Sequence, residues 1–343
     1  MKFNTMEGTL ELIRPVARGS SATIWTSMLK QKNKKPKKFV TKRIHKSRNE
    51  IIGVYNWKKA GMIVAPQKTR APLKLNCVTL DLDIDFENLK KDECVLSMRN
   101  AYLDWKKDDA IKLSLRTNYV TECMIAKVLR KKVSPYLPVP IFCRIKANFT
   151  TPYHHNIVMD FAGSELETMS DQLSLNEFKS IVMQVLIALC WSQHLVKFKH
   201  HDLHPGNVYF KYNKISQNWK LPSGKEIILP SPNVEATIAD FGLSVANVGT
   251  TRIGRLDFPL LSTDNNKKWG DWDYDLEGNE GYDMIVLLDS LKEDTTGSQY
   301  EWIKQLLNKI KEKLPQLKIS NINRPLSKVC IKPEEILDLI VSR

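Results

Sequence analysis

The stretch His200-His201-Asp202-Leu203-His204-Pro205-Gly206-Asn207, with Asp240-Phe241-Gly242 downstream, constrains this chain more than any other feature. An aspartate and an asparagine five residues apart on a tight, Pro-Gly-bearing loop can do two jobs at once. The carboxylate can orient an attacking hydroxyl and accept its proton, while the amide oxygen reaches a metal ion. A second carboxylate, Asp240, on a later strand and turn can hold Mg²⁺, which takes one or two carboxylates and completes its shell with phosphate oxygens.

The chain around these loops has 343 residues, enough for a sizeable core and two lobes. Ser174-Leu175-Asn176-Glu177 is a capping box opening an amphipathic helix with Phe178, Ile181, Val182, Val185 and Leu189 on one stripe. That helix delivers the chain to the Asp202 loop. Upstream, Leu10 to Val16 reads as a strand, followed by the small-residue turn Ala17-Arg18-Gly19-Ser20-Ser21-Ala22-Thr23-Ile24. A β-branched strand, Phe39-Val40-Thr41-Lys42, comes next. Ile141 to Phe149 and Asn156 to Phe161 are strand-like, and Tyr212 to Pro232 is a polar, proline-bearing surface excursion. Ser298 to Leu317 and Pro333 to Val341 close the chain as helices.

The order and spacing of these pieces resemble the protein-kinase superfamily. The resemblance is closest to its divergent members, such as haspin and the kinases of large DNA viruses, through Asp-Leu-His-x-Gly-Asn and the missing Ala-Pro-Glu. It implies an α+β, two-lobed fold: an N-lobe antiparallel sheet plus one helix over 1–162, and a mainly helical C-lobe over 163–343. Insertions fall at about 45–117 and 212–233. Ala17, Gly19, Ala22 and Ile24 then stand in a worn glycine-rich loop, and Lys42 is the phosphate-holding lysine. Glu122, on a helix capped by Asn118 and running to Lys132, pairs with Lys42. Met159 backs the adenine pocket, and the backbone of Asp160 and Ala162 faces the adenine edge. Asp202 is the catalytic base, Asn207 and Asp240 are metal ligands, and Asp283 braces the catalytic loop.

Two departures stand out. His204 occupies the place of the lysine that steadies the γ-phosphate, so it counts among the catalytic candidates. His201 replaces the arginine that receives an activation-loop phosphate. The resemblance thus implies an ATP- and Mg²⁺-dependent serine/threonine protein kinase with a protein substrate. A small-molecule kinase of the aminoglycoside or choline type shares the fold and the loop motif, and a pseudokinase scaffold is the non-enzymatic alternative.

Charge adds a partner. The formal net charge is +14, and Lys30, Lys32, Lys34, Lys35, Lys37 and Lys38 form a run suited to an anionic partner, nucleic acid included, or to plain solvation. Within the first insertion, Val78, Leu80, Leu82, Ile84 and Phe86 alternate with polar residues, as do Ile111, Leu113 and Leu115; both read as strands. Six scattered cysteines (Cys77, Cys94, Cys123, Cys143, Cys190, Cys330) without zinc spacing suggest reduced thiols and an intracellular setting. The longest near-apolar run, Ile181 to Trp191, is broken by Gln184 and too short for a bilayer, so no membrane is expected.

Overall fold

The computed structural model describes residues 2–5, 8–18, 22–45, 122–151, 154–248, 251–254, 280–313 and 331–341. Gly19, the Asn118 cap, the alternating strands of the first insertion, Cys77, Cys94 and Cys330 lie outside the described residues, as does the segment after Gly254 up to residue 279. The chain divides into two compact units, Met1–Cys123 with Arg144–Phe161, and Met124–Cys143 with Ala162–Arg343. Residues 124–143, which the sequence reading put in the first lobe, group with the second unit.

The first unit is a six-stranded antiparallel sheet in the order β1-β2-β3-β4-β6-β5. Its strands are β1 (Lys2–Thr5), β2 (Gly8–Arg18), β3 (Ala22–Lys30), β4 (Lys37–His45), β5 (Ile145–Thr150) and β6 (His154–Asp160). Phe3, Leu10, Leu12, Phe39, Phe149 and Val158 make its core, with Trp25 packed against them. Phe3 of one edge strand and Phe149 of the other sit with ring centres 4.7 Å apart, so the sheet is curled. Each aromatic or aliphatic side chain buried here contributes about 1.5–3 kcal/mol. Pro15, which cannot donate to a ladder, lies where the β2–β3 register shifts, a place a sheet tolerates it. Strand β1 was not anticipated: four residues with one apolar side chain carry no alternation to read.

Helix α1 covers residues 122–132, with Ile125, Val128 and Leu129 fully buried. The expected strand Ile141 to Phe149 is two pieces. Ile141 and Cys143 bond with Ile238 in the second unit, and the strand proper, β5, begins only at Ile145. The partition of one run between two units is invisible to periodicity, because both pieces carry apolar side chains.

In the second unit, β7 (Ser164–Glu165) leads into the short α2 (Leu166–Met169) and then α3 (Leu175–Val196). The capping box at Ser174 and Glu177 is formed in both directions, a local contribution of about 1 kcal/mol. By length and composition α3 could cross a membrane, but its apolar residues are buried inside the unit. Gln184, which interrupts that apolar run, is buried for a reason. Its amide donates to the Val234 carbonyl and accepts from the Ala236 N–H, both at 3.0 Å, which clamps β11 (Val234–Ile238). Strand β11 pairs with β8 (Val208–Tyr212), so the strands leaving the Asp202 loop and entering Asp240 lie side by side.

The excursion between β8 and β11 is packed rather than a loose surface insertion. Its hairpin, β9 (Asn218–Lys220) with β10 (Glu226–Ile228), buries Trp219, Leu221, Ile227 and Leu229. The polar residues between these apolar ones hid the pattern. Beyond the Asp-Phe-Gly turn, β12 (Val245–Val248) pairs with β13 (Thr251–Gly254). Helices α4 (Tyr282–Asp294), α5 (Gly297–Lys313) and α6 (Pro333–Val341) complete the unit. The described architecture is therefore α+β, a sheet unit with α1 entering it and a mainly helical second unit.

Candidate active site

In the first unit, strand register decides which side chains share a face. Ala17 pairs with Ile24, Ile24 with Lys42, and Lys42 with Ile157; Val40 pairs with Met159. Opposed residues of an antiparallel pair point to the same side, and so do residues two apart. Ala17, Ala22, Ile24, Lys42 and Met159 therefore stand on one face, and Phe39 and Val158 carry the core on the other. Lys42 Nζ donates to Glu122 Oε2 at 2.9 Å, with side-chain exposures of 12% and 2%. Removing either partner would strand the other charge in a desolvated place, at a cost of roughly 3–5 kcal/mol.

Next to this pair, Cys123 is buried; burial pushes its thiol up to about 12, against the Asn148 amide that donates to it. Asp160 ends β6 with its N–H bonded to the Arg144 carbonyl and its side chain 3.2 Å from Lys146. Ala162 opens the second unit. Gly163 follows at φ 106°, where an added Cβ would lie 2.0 Å from the Phe210 carbonyl oxygen, so only glycine fits.

In the second unit, a single carboxylate organises the Asp202 loop. Asp283 on α4 is buried, and its two oxygens accept from consecutive backbone groups, His200 N–H at 2.7 Å and His201 N–H at 2.9 Å. Burial pushes the Asp283 carboxyl above its ordinary value, opposed by the neighbouring His200 and the two N–H bonds. His201 is itself at φ 65°, a left-handed conformation worth about 1–2 kcal/mol of strain in a residue with a Cβ. The double hydrogen bond offsets that strain. The chain emerges from it with Asp202 exposed between buried His201 and Leu203.

Asn207 is fixed from three directions. Its N–H bonds the His204 carbonyl at 2.9 Å, its carbonyl accepts from Ala239 N–H at 3.0 Å, and Nδ2 donates to the Asp202 carbonyl at 2.8 Å. A carbonyl partner demands the amide nitrogen, so Oδ1 is the end that remains for a cation. Asp240, also left-handed at φ 62°, precedes buried Phe241. Among the described residues no group of three or more His, Cys, Asp or Glu forms a closed metal cage. A Mg²⁺ ion that keeps phosphate and water ligands needs no such cage, so an Asn oxygen and an aspartate fit it.

His204 lies beside Asn207, with Nδ1 accepting from Gly206 N–H at 3.2 Å and standing 3.9 Å from Glu167 Oε2. His200 and His201 also hold the next segment in place. His200 Nε2 bonds the Ala239 carbonyl, His201 Nδ1 lies 3.2 Å from the Leu243 carbonyl, and Ser244 Oγ donates to the His200 carbonyl. Ser244 was not singled out from the sequence and His200 was given no role there, because neither carries a charge pattern of its own.

No family model matches the chain. It is similar to serine/threonine-protein kinase haspin of Bos taurus, 31% identical over 119 residues, and of Mus musculus, 30% identical over the same length. The haspin homologue of Arabidopsis thaliana is 29% identical over 92 residues. These matches cover 34%, 34% and 27% of this chain, and only 15% of each relative's length. Among solved structures, the BubR1 kinase domain aligns over 73% of this chain and 51% of its own, at 12% identity and a TM-score of 0.38. Over these residues the chain is similar to haspin, a divergent type of protein kinase, and it spans only a small part of each relative's length.

Proposed function

We propose that the chain is an ATP- and Mg²⁺-dependent serine/threonine protein kinase that moves the γ-phosphoryl group of ATP to protein hydroxyls. The observation that carries this reading is the Asn207 side chain. Its nitrogen is committed to Asp202's own backbone, so one short loop offers a carboxylate base and a cation-ready oxygen together. Mg²⁺-ATP, when bound, supplies the phosphoryl donor and neutralises its developing charge. Asp202 would accept the hydrogen bond of the substrate hydroxyl and take its proton as the new oxygen–phosphorus bond forms and the bond from the γ-phosphorus to the bridging oxygen of the departing ADP breaks. Asn207 and Asp240 hold the metal. Lys42 donates to phosphate oxygens, and Glu122 keeps its ammonium charged and aimed. Ala17, Gly19, Ala22, Ile24 and Met159 line the nucleotide, with the backbone of Asp160 and Ala162 at the base edge.

The test is incubation with labelled ATP, Mg²⁺ and a mixed protein substrate, followed by phosphoamino-acid analysis. Label on serine and threonine supports the reading. Label found only on an added aminoglycoside or choline would replace it with a small-molecule kinase.

A further inference from the structure

The 3₁₀ turn Pro205–Asn207 carries the proposed metal ligand, and its hydrogen bonds can be accounted for completely. Pro205 has no N–H. The Asn207 N–H goes to the His204 carbonyl, and the Gly206 N–H goes to the His204 ring at Nδ1. One residue thus satisfies both backbone N–H groups of the turn, as an N-cap serine or asparagine satisfies donors at the start of a helix. A Cβ on Gly206 would crowd the Glu167 carboxylate first and then the His204 ring, at 2.8 Å from Cε1 and 3.0 Å from Nδ1, so glycine suits this close approach.

We propose that His204 is a positioning residue for Asn207, the cap of the metal-binding turn, and not a ligand of the transferred phosphoryl group. This rests on the reading of Asn207 as a metal ligand. The chemistry separates the two roles. As an acceptor, Nδ1 holds a lone pair towards Gly206, and a neutral ring then carries its proton on Nε2. A lysine has three donors and no acceptor, so it could contact phosphate but could not cap. Asparagine has the opposite character: its Oδ1 is attached to Cγ, as Nδ1 is in histidine, and it is among the best caps.

The variants His204→Asn, His204→Lys and His204→Ala give two opposed rank orders. Two readouts apply without turnover: the Mg²⁺ concentration that half-saturates ATP binding by calorimetry, and hydrogen exchange of the Gly206 amide. Capping predicts H204N within about twofold of wild type in Mg²⁺ requirement, with H204A and H204K weaker by roughly fivefold, the loss of one cap. Gly206 exchange should accelerate in H204A and H204K and stay slow in H204N. Near-native circular dichroism of each variant keeps the comparison among folded proteins. If H204K matches wild type while H204N and H204A fall together, His204 is a phosphate contact and the proposal is overturned. Unchanged Gly206 exchange in H204A overturns it as well. Wild-type protein that bound no Mg²⁺-ATP, with Gly206 exchange still following the cap, would instead defeat the kinase reading and the metal role while the turn's cap stood.

Discussion

Replacing Asp283 by asparagine keeps the shape of the side chain and removes one of its two acceptors. In the native loop both oxygens take buried backbone N–H groups, at 2.7 and 2.9 Å. The asparagine amide turns an NH₂ towards one of them. The variant therefore loses one charge-assisted bond and leaves a buried N–H without a partner, each worth about 1.5–3 kcal/mol. Removing a carboxylate that burial already penalises returns part of this, so the net local loss is about 2 kcal/mol. Because two compact units can unfold separately, the measurement is local: hydrogen exchange of the His200 and His201 amides. A 2 kcal/mol loss predicts exchange about thirtyfold faster at one or both amides. Displacing the loop by about an ångström also predicts a fall in kcat of roughly a hundredfold, with ATP affinity little changed. If D283N left both amides as protected as in wild type, the carboxylate would not be what holds the catalytic loop.

Three further outcomes follow from other parts of the chain. The lysine run forms a hairpin tip between β3 and β4; Lys30 reaches Glu11 at 2.6 Å, Lys38 sits over Phe161, and Lys32, Lys34, Lys35 and Lys37 are exposed with no ion pair among the described residues. We predict that serine at Lys32, Lys34, Lys35 and Lys37 leaves peptide turnover unchanged while weakening polyanion binding and flattening its salt dependence; lost turnover would put the run in the active site. His201, buried with its ring against the Leu243 carbonyl, is committed to backbone and offers no permanent charge to a phosphate. Enzyme made in bacteria and stripped by phosphatase should accordingly be fully active, and silencing by phosphatase would refute this. Cys123 provides a pH test: its folded thiol is pushed up to about 12 from an ordinary 9.0. An acid raised on folding stabilises the fold below its unfolded value and loses that contribution as pH rises towards the folded one. Wild type should therefore lose about 2 kcal/mol relative to Cys123→Val by pH ~10.5, read as a difference in urea unfolding; parallel curves would contradict it.

What the sequence disclosed follows from where each signal is local. The Ser174 cap, α3 and the strand bearing Lys42 depend on neighbouring residues, and the structure forms all three. The close pairing of Lys42 with Glu122 spans 80 residues, and only the family resemblance suggested it. The role of Asp283 came only from the resemblance, and Gln184 was read as no more than a break in an apolar run; only the fold shows which backbone groups each satisfies. The hairpin at Trp219 was misread because buried and exposed residues alternate over just three residues per strand, too few to count. His204 was read as standing where a phosphate-binding lysine stands; its bond from the Gly206 N–H is a contact within the loop that the sequence does not signal.

The central claim is that Asp202 is the base and Asp240 the metal ligand of a phosphoryl-transfer site. Steady-state kinetics of Asp202→Asn and Asp240→Asn, alongside calorimetric Mg²⁺-ATP affinity for each, test it most directly. The account predicts that both variants lose turnover, that D202N binds Mg²⁺-ATP nearly as wild type does, and that D240N binds it more weakly. Near-normal turnover in D202N would contradict it.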